Sequence, residues 1–435
     1  MALSPGVTAA RPTGSADNPA ADAGRSNAPH LAGFVMALFF IFGGITSLND
    51  VIIPKLKELF TLDYMQAMFV QSAFFFAYFV VSLPAAWVVK RIGYMRGAVV
   101  GLLTMMGGCL LFIPASASAT FGMFLGALFV LAGGVTIVQV VTNPLISLLG
   151  KPDTASSRLT FAQAFNSLGT TIFPYVGSML ILGSLAKVTA SQLSGAALSA
   201  YRVAETRAVV HAYFGLAVAL GVIAAVVFVY RNALKREPVA HGSLFEGFDL
   251  LRRPRFAFGA ACIFLYVGAE VAIGSMIVNY VSQPHVLAIT AEAAGKLIPF
   301  YWLGALIGRF IGSGVLRAIN PGKVLAFNAL GAIALIVISA NTGGNVAAWT
   351  LLAIGLMNSI MFPTIFTLAS EGLGERAADG SGVICVAIVG GAVIPPLTGR
   401  LADASGSLGI ALALPALCYA VIAAFGLFAR RPVRG

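Results

Sequence analysis

Long apolar stretches, separated by short polar punctuation, dominate the chain. Twelve of them, near 33–55, 64–89, 97–115, 120–149, 158–184, 208–230, 256–281, 294–316, 322–340, 345–371, 379–400 and 407–429, approach or exceed the roughly 20 residues a helix needs to cross a hydrocarbon layer. A backbone in lipid must satisfy its own hydrogen bonds, so each stretch predicts a membrane-spanning helix. The longest polar interruption, RNALKREPVAHGSLFEGFDLLRRPR at 231–255, divides the helices six and six. An Ala/Ser-rich stretch at 185–207 predicts the longest loop on the opposite face. The pattern describes an all-α polytopic membrane protein with two six-helix bundles, 31–230 and 256–429, joined by a central loop at 231–255. The tail 1–30, rich in Ala, Pro, Ser, Gly and Asn, reads as disordered and not as a cleaved signal peptide; a short tail, 430–435, follows the last span.

Composition sharpens this picture. The chain of 435 residues is 59% hydrophobic and 10% charged, whereas soluble domains carry about 25% charged residues. Its net charge of +11 would suggest nucleic acid in a soluble protein. In a membrane protein it reflects basic cytoplasmic loops, and nucleic-acid binding is not expected. With both termini cytoplasmic, seventeen Lys and Arg residues fall in cytoplasmic loops and the C-terminal tail, among them Lys90, Arg91, Arg96, Lys151, Arg158, Arg317 and Arg376. Seven fall on the other side, and Arg11, Arg25 and Arg309 belong to neither set. The bias follows the positive-inside rule. Cys109, Cys262, Cys385 and Cys418 lie in four different apolar runs, which predicts buried thiols without a disulfide framework or metal site. No Walker motif is present, so neither ATP hydrolysis nor a cofactor is expected.

Two carboxylates stand inside apolar runs. Asp50 lies in GFVMALFFIFGGITSLNDVIIP (33–54), and Glu270 is the fourteenth residue of the 25-residue run 257–281. A charge at bilayer depth costs at least about 2.5–3.5 kcal/mol, so such residues usually serve function. They also occupy repeated places. Asp50 precedes Pro144 by 94 residues and Pro174 by 124; Glu270 precedes Pro363 by 93 and Pro395 by 125. Parallel repeats of six spans, with a substrate site near the midplane between them, are a known transporter plan. The alternatives are structural. Asp50, near Lys55 and Lys57, could meet solvent at the mouth of its span, and Glu270 could pair with Arg309, although Arg309 lies toward the cytoplasmic end of its span.

Amides cluster in the same spans. Gln139 and Asn143 are four apart, Gln163 and Asn166 three apart, so each pair shares a helix face. Amides offer both donors and acceptors to ligand hydroxyls without a desolvated charge. The structural reading is interhelical hydrogen bonding, worth about 0.6 kcal/mol each. Asn49, Asn279, Tyr301, Trp302 and Asn358 are further candidates for a binding wall, Tyr301 and Trp302 by stacking on an apolar ligand face or, alternatively, as interfacial aromatics. Pro84, Pro144, Pro174, Pro363 and Pro395 mark hinges or static kinks.

Several blocks resemble a known family. LNDVIIPKLKELFTLDYMQAMFVQSAFFFAYFVVSLPA (48–85), FLGALFVLAGGVTIVQVVTNP (124–144), SSRLTFAQAFNSLGTT (156–171), YVGAEVAIGSMIVNY (266–280), GRFIGS (308–313), MNSIMFPTIFTLA (357–369) and AIVGGAVIPP (387–396) are similar, in order, to the fucose:proton symporter family of the major facilitator superfamily, especially its bacterial glucose/galactose transporter branch. The resemblance implies the major facilitator fold, twelve helices in two six-helix bundles. It further implies a non-enzymatic carrier of a neutral hexose in the bacterial inner membrane, a functional monomer driven by a proton or another cation. An amino sugar such as N-acetylglucosamine, or fucose, is the alternative substrate, and a membrane sensor or enzyme a remote alternative. In the fucose branch one of two functional acids matches Asp50; the other falls on Gln139, while Glu270 stands where that branch has Gln. The acid pair is thus expected to be Asp50 and Glu270, split across the cavity, with both coupling protons. Val89 stands where the general superfamily signature usually has Asp, so a gating charge pair built on that Asp is not expected.

Overall fold

The computed structural model describes residues 29–60, 64–118, 120–177, 193–232, 243 and 245–431. Among them every regular element is helical. In chain order they are α1 (Pro29–Phe60), α2 (Tyr64–Ile92), α3 (Tyr94–Leu110, continued by Phe112–Ser118), α4 (Phe121–Leu148), α5 (Ala155–Gly177) and α6 (Gly195–Val229) in the first half. The second half holds α7 (Pro254–Val281), α8 (Ala291–Gly295 and Ile298–Ala318), α9 (Pro321–Asn341), α10 (Gly344–Asn358 and Met361–Ala369), α11 (Ala377–Ala387 and Gly390–Ser405) and α12 (Leu408–Ala411 and Ala413–Ala429). Eleven stretches among the described residues are long and apolar enough to cross a membrane. The exception is α5, whose Gln163, Asn166, Ser167, Thr170 and Thr171 lower its hydropathy and whose predicted end falls at 178–184, outside the described residues. The tail 1–28, residues 233–242 of the central loop and 432–435 also lie outside them.

The helix pairings of one half recur in the other. In the first half α1 packs on α5, α2 and α3 on α4, and α3 on α6; in the second α7 packs on α11, α8 and α9 on α10, and α9 on α12. Small residues permit the closest of these contacts, as expected where van der Waals packing draws helices together in lipid. A Cβ on Gly169 of α5 would stand 2.1 Å from the Phe40 carbonyl oxygen of α1, and one on Gly390 of α11 would stand 1.9 Å from that of Phe264 of α7. The same backbone-to-backbone approach therefore sits at matching places in both halves.

Two seams join the halves, α2 and α4 against α11 and α5 against α8 and α10. The polar and aromatic contacts across them, among the described residues, run from mid-span to the end that carries the basic loops, called the basic end below. There the Lys90 ammonium of α2 lies 3.1 Å from Asp379 of α11 and 3.2 Å from Glu246, which opens a short 3-10 helix, Glu246–Arg252, in the central loop. Arg376 holds Asp249 at 2.6 and 2.8 Å and Asp379 at 3.3 Å. That hydrogen bond keeps the Asp249 carboxyl below the usual carboxylate range. A charge latch thus exists, built on Lys90 next to the unusual Val89. On the other seam Ser156 bonds Thr367 at 2.6 Å, Ser157 donates to the Ser313 carbonyl at 2.6 Å, and Phe161 meets Phe310 edge-on.

The described part of one predicted loop is largely helix; residues 185–192 lie outside the described residues. The stretch 185–207 is helical from Gly195 onward, and α6 runs unbroken to Val229. The Ala-rich run AALSAYRVAETRA favours helix despite its polar residues. Arg202 anchors it, donating to the Leu59 carbonyl at 2.8 Å with its guanidinium over the Phe60 ring.

Candidate functional site

Glu270 lies mid-way along α7, partly buried, and organises a polar node in the second half. One turn earlier on the same helix, the Tyr266 hydroxyl lies 2.7 Å from Glu270 Oε1 and 3.1 Å from the Asn358 carbonyl. A phenol has one proton, so it serves one acceptor at a time. Asn358, at the break in α10, donates from Nδ2 to the Tyr301 hydroxyl at 2.7 Å. Tyr301 in turn points its proton toward the Glu270 carbonyl, 3.4 Å away. Tyr266, Tyr301 and Asn358 are enclosed, whereas Trp302 is 43% exposed, edge-on to Tyr301 with centroids 5.1 Å apart. Trp302 also flanks Gly274, one turn beyond Glu270.

The first half carries a matching arrangement. The Tyr78 hydroxyl of α2 donates to Gln139 Oε1 of α4 at 2.8 Å, and both are buried. Gln139 precedes Pro144 by five residues and Asn358 precedes Pro363 by five, so the two Tyr–amide pairs, α2 with α4 and α8 with α10, are repeat-related. Their polarity is opposite. Gln139 accepts through its oxygen and keeps its NH2 donors, whereas Asn358 spends a donor on Tyr301. Asn143, fully buried, has neither amide atom paired, and Thr142 and Thr160 have unpaired hydroxyls. On α5, Asn166 donates to the Phe39 carbonyl of α1 at 3.3 Å, and Gln163 is buried.

Arg309 of α8 connects the two sides. It donates to the Ser359 carbonyl of α10 at 3.3 Å, to the Gln163 carbonyl of α5 at 3.0 Å and to the Ser167 hydroxyl. It is also within Coulombic reach of Glu270, without an ion-pair contact among the described residues. One side chain therefore touches both halves.

A model of the Major Facilitator Superfamily matches residues 34–394. The chain belongs to that superfamily. As a superfamily member it is 49% identical over 391 residues to a glucose/galactose transporter of Brucella abortus, covering 90% of this chain and 92% of the relative. It is 42% identical to a putative glucose/galactose transporter of Helicobacter pylori, covering 91% and 95%, and 33% identical to the L-fucose-proton symporter of Escherichia coli, covering 94% and 95%. Among solved structures it resembles the E. coli fucose:proton symporter in its outward conformation, with a TM-score of 0.83 at 32% identity, over 92% of this chain and 99% of that one.

The predicted residues fall into four groups on this fold. Glu270, Tyr301, Trp302 and Asn358 form one node, joined through Arg309 to the α5 turn bearing Gln163 and Asn166; Gln139 and Asn143 stand on α4 of the first half. Asn279 is exposed on α7, nine residues beyond Glu270. Asn49 and Asp50 lie in α1, but their side chains are outside the described residues. Sequence reasoning missed Tyr78 and Tyr266 and treated Arg309 only as a partner for Glu270. The available signal was a phenol in an apolar run, which needs a hydrogen-bond partner when buried.

Proposed function

We propose that the protein takes up a neutral hexose of the glucose/galactose type by alternating access, with the proton as coupling ion. The observation that carries this is Glu270, a carboxylate half-way along a membrane-spanning helix, held by Tyr266 beside the Arg309 bridge between the halves. Sequence identity of 49% to a glucose/galactose transporter supports the substrate class, and the 33% identity to a fucose-proton symporter supports the proton.

In this reading Glu270 and Asp50 take and release protons. Gln139, Asn143, Gln163 and Asn166, with Asn49, Asn279, Tyr301, Trp302 and Asn358, form or support the sugar walls. The amides read hydroxyls, and the Trp302 ring covers an apolar sugar face. Protonation removes the cost of carrying a bare carboxylate through the occluded state, and sugar binding supplies differential affinity between the two open states. The positive-inside bias puts the basic end and both termini in the cytoplasm of a bacterial inner membrane. The latch at Lys90 then closes the cytoplasmic side, so sugar approaches from the opposite face. The carrier works as a monomer with no cofactor.

The test is labelled glucose and galactose uptake by the purified protein in sealed liposomes with an imposed pH gradient. An inside-alkaline gradient is expected to drive accumulation, and a proton ionophore to abolish it. Uptake of neither hexose, with or without a gradient, would overturn the substrate class; uptake indifferent to the ionophore would overturn the proton.

A further inference from the structure

At the basic end, where α7 begins and α12 ends, Arg255, Leu427, Phe428, Arg430 and Arg431 line a cavity of about 390 Å³. Its chemistry is two-sided. Leu427 and Phe428 are 50% and 51% exposed, and Phe428 packs on the half-buried Phe258 of α7, 5.9 Å away, which rests in turn on the enclosed Phe425 at 5.2 Å. Exposed apolar side chains on the outside of a membrane helix face acyl chains. The opposite side of the cavity is cationic.

The three arginines are not equivalent. Arg255 is committed to structure. It donates to the Leu368 carbonyl at 2.8 Å, the Arg431 carbonyl at 2.7 Å and the Ala429 carbonyl at 3.2 Å, and pairs with Glu371. It thereby caps the last carbonyls of α12 and fixes the chain at Arg430 and Arg431. Asn320 adds a second tether, donating to the Arg430 carbonyl at 3.0 Å. The backbone of both residues is thus pinned from two helices, while their side chains stand exposed around the cavity. Guanidiniums present a planar fork that matches phosphate oxygens two at a time. Basic pockets between membrane helices, next to an apolar outer face, recognise phospholipid headgroups.

We propose that this cavity binds one anionic phospholipid, its phosphodiester held by Arg430 and Arg431 and an acyl chain lying on Leu427 and Phe428. The site is distinct from the sugar pathway and gives the carrier a dependence on acidic lipid. Charge complementarity and the exposed apolar pair together select a lipid over a soluble phosphate: the two cations take the headgroup, and Leu427 and Phe428 need a hydrocarbon partner.

The experiment uses the full chain, delipidated in detergent and titrated with phosphatidylglycerol or phosphatidylcholine of identical acyl chains, with bound lipid counted by native mass spectrometry. Wild type is expected to retain one phosphatidylglycerol in preference to phosphatidylcholine. Arg430→Gln with Arg431→Gln should weaken that retention by on the order of tenfold, while Arg231→Gln, a basic residue elsewhere on the same end, leaves it unchanged. Soluble glycerophosphoglycerol should not displace the lipid. Equal retention of both lipids, undiminished retention by the double variant, an equal loss in Arg231→Gln, or displacement by the soluble headgroup would each overturn the proposal.

Discussion

At the scale of single residues, the hydrogen-bond donors around the proposed site set which of its atoms are left to meet a ligand. Tyr78 occupies Gln139 Oε1, so the amide faces its remaining partners as a donor. Tyr78→Phe leaves that oxygen unpaired and the amide free to rotate, at a cost of about 1–3 kcal/mol for an unsatisfied buried acceptor. The expected result is a folded carrier whose KM for sugar rises about tenfold with little change in maximal rate, measured by initial uptake rates. Tyr301 and Asn358, the repeat-related pair, act one layer behind Glu270, so Tyr301→Phe should alter the pH profile of uptake more than sugar affinity. Glu270→Gln fixes the neutral form. Sugar accumulation against a gradient is expected to vanish, while exchange of internal for external sugar persists because the loaded carrier still cycles. Counterflow assays separate the two activities. Gln139 and Glu270 were visible in the sequence because polar residues stand out in apolar runs. Tyr78 and Tyr266 were not, since a phenol counts as hydrophobic until its partner is known.

At the scale of elements, glycine sets how close paired helices come. Gly390→Val would drive a side chain into the Phe264 carbonyl, from which even a Cβ would stand 1.9 Å away; Gly399 on the same helix has open space around it. The first change is expected to prevent stable folding, and Gly399→Val to be tolerated, as read by monodispersity and thermal unfolding in detergent. The latch at the basic end is an element-level device as well. Lys90 lies between Glu246 and Asp379, and Asp379 is nearly enclosed. Lys90→Gln leaves that carboxylate without its closest cation, so the basic end should open more often. A Cys introduced at Ser156, buried at the seam, is then expected to react several-fold faster with a permeant maleimide. The Arg376–Asp249 pair titrates elsewhere. The folded Asp249 pKa is depressed by its Arg376 hydrogen bond, so its contribution to stability is present above about pH 4 and is lost as pH falls through the lowered folded value. Consequently any change in uptake between pH 5 and 8 should survive in Asp249→Asn.

At the scale of the whole molecule, hydropathy predicts the number of spans and the acid-to-proline intervals predict the repeat, because apolar runs and the polar residues inside them record the choice between lipid and water. The Ala/Ser-rich stretch 185–207 reads as a loop, yet alanine propensity and the anchor on Leu59 make it helix from Gly195 onward. The seams were also hidden. Which faces of α5 and α8 touch depends on their relative rotation, and no single-chain periodicity carries that. For the same reason the sequence offers Arg309 only as a poorly placed alternative partner for Glu270, whereas the fold shares it between two bundles.

That sharing sets a hydration problem. An arginine has five N–H donors and cannot shed its charge. While the basic end is closed, the Gln163 carbonyl and Ser167 hydroxyl of α5 solvate Arg309 from across the seam. When α5 withdraws, those partners leave with it, and water or the Glu270 carboxylate has to take their place. Opening toward the basic end therefore requires wetting at Arg309, and deuterium exchange in the adjoining turns of α5 and α8 should rise together as a single event.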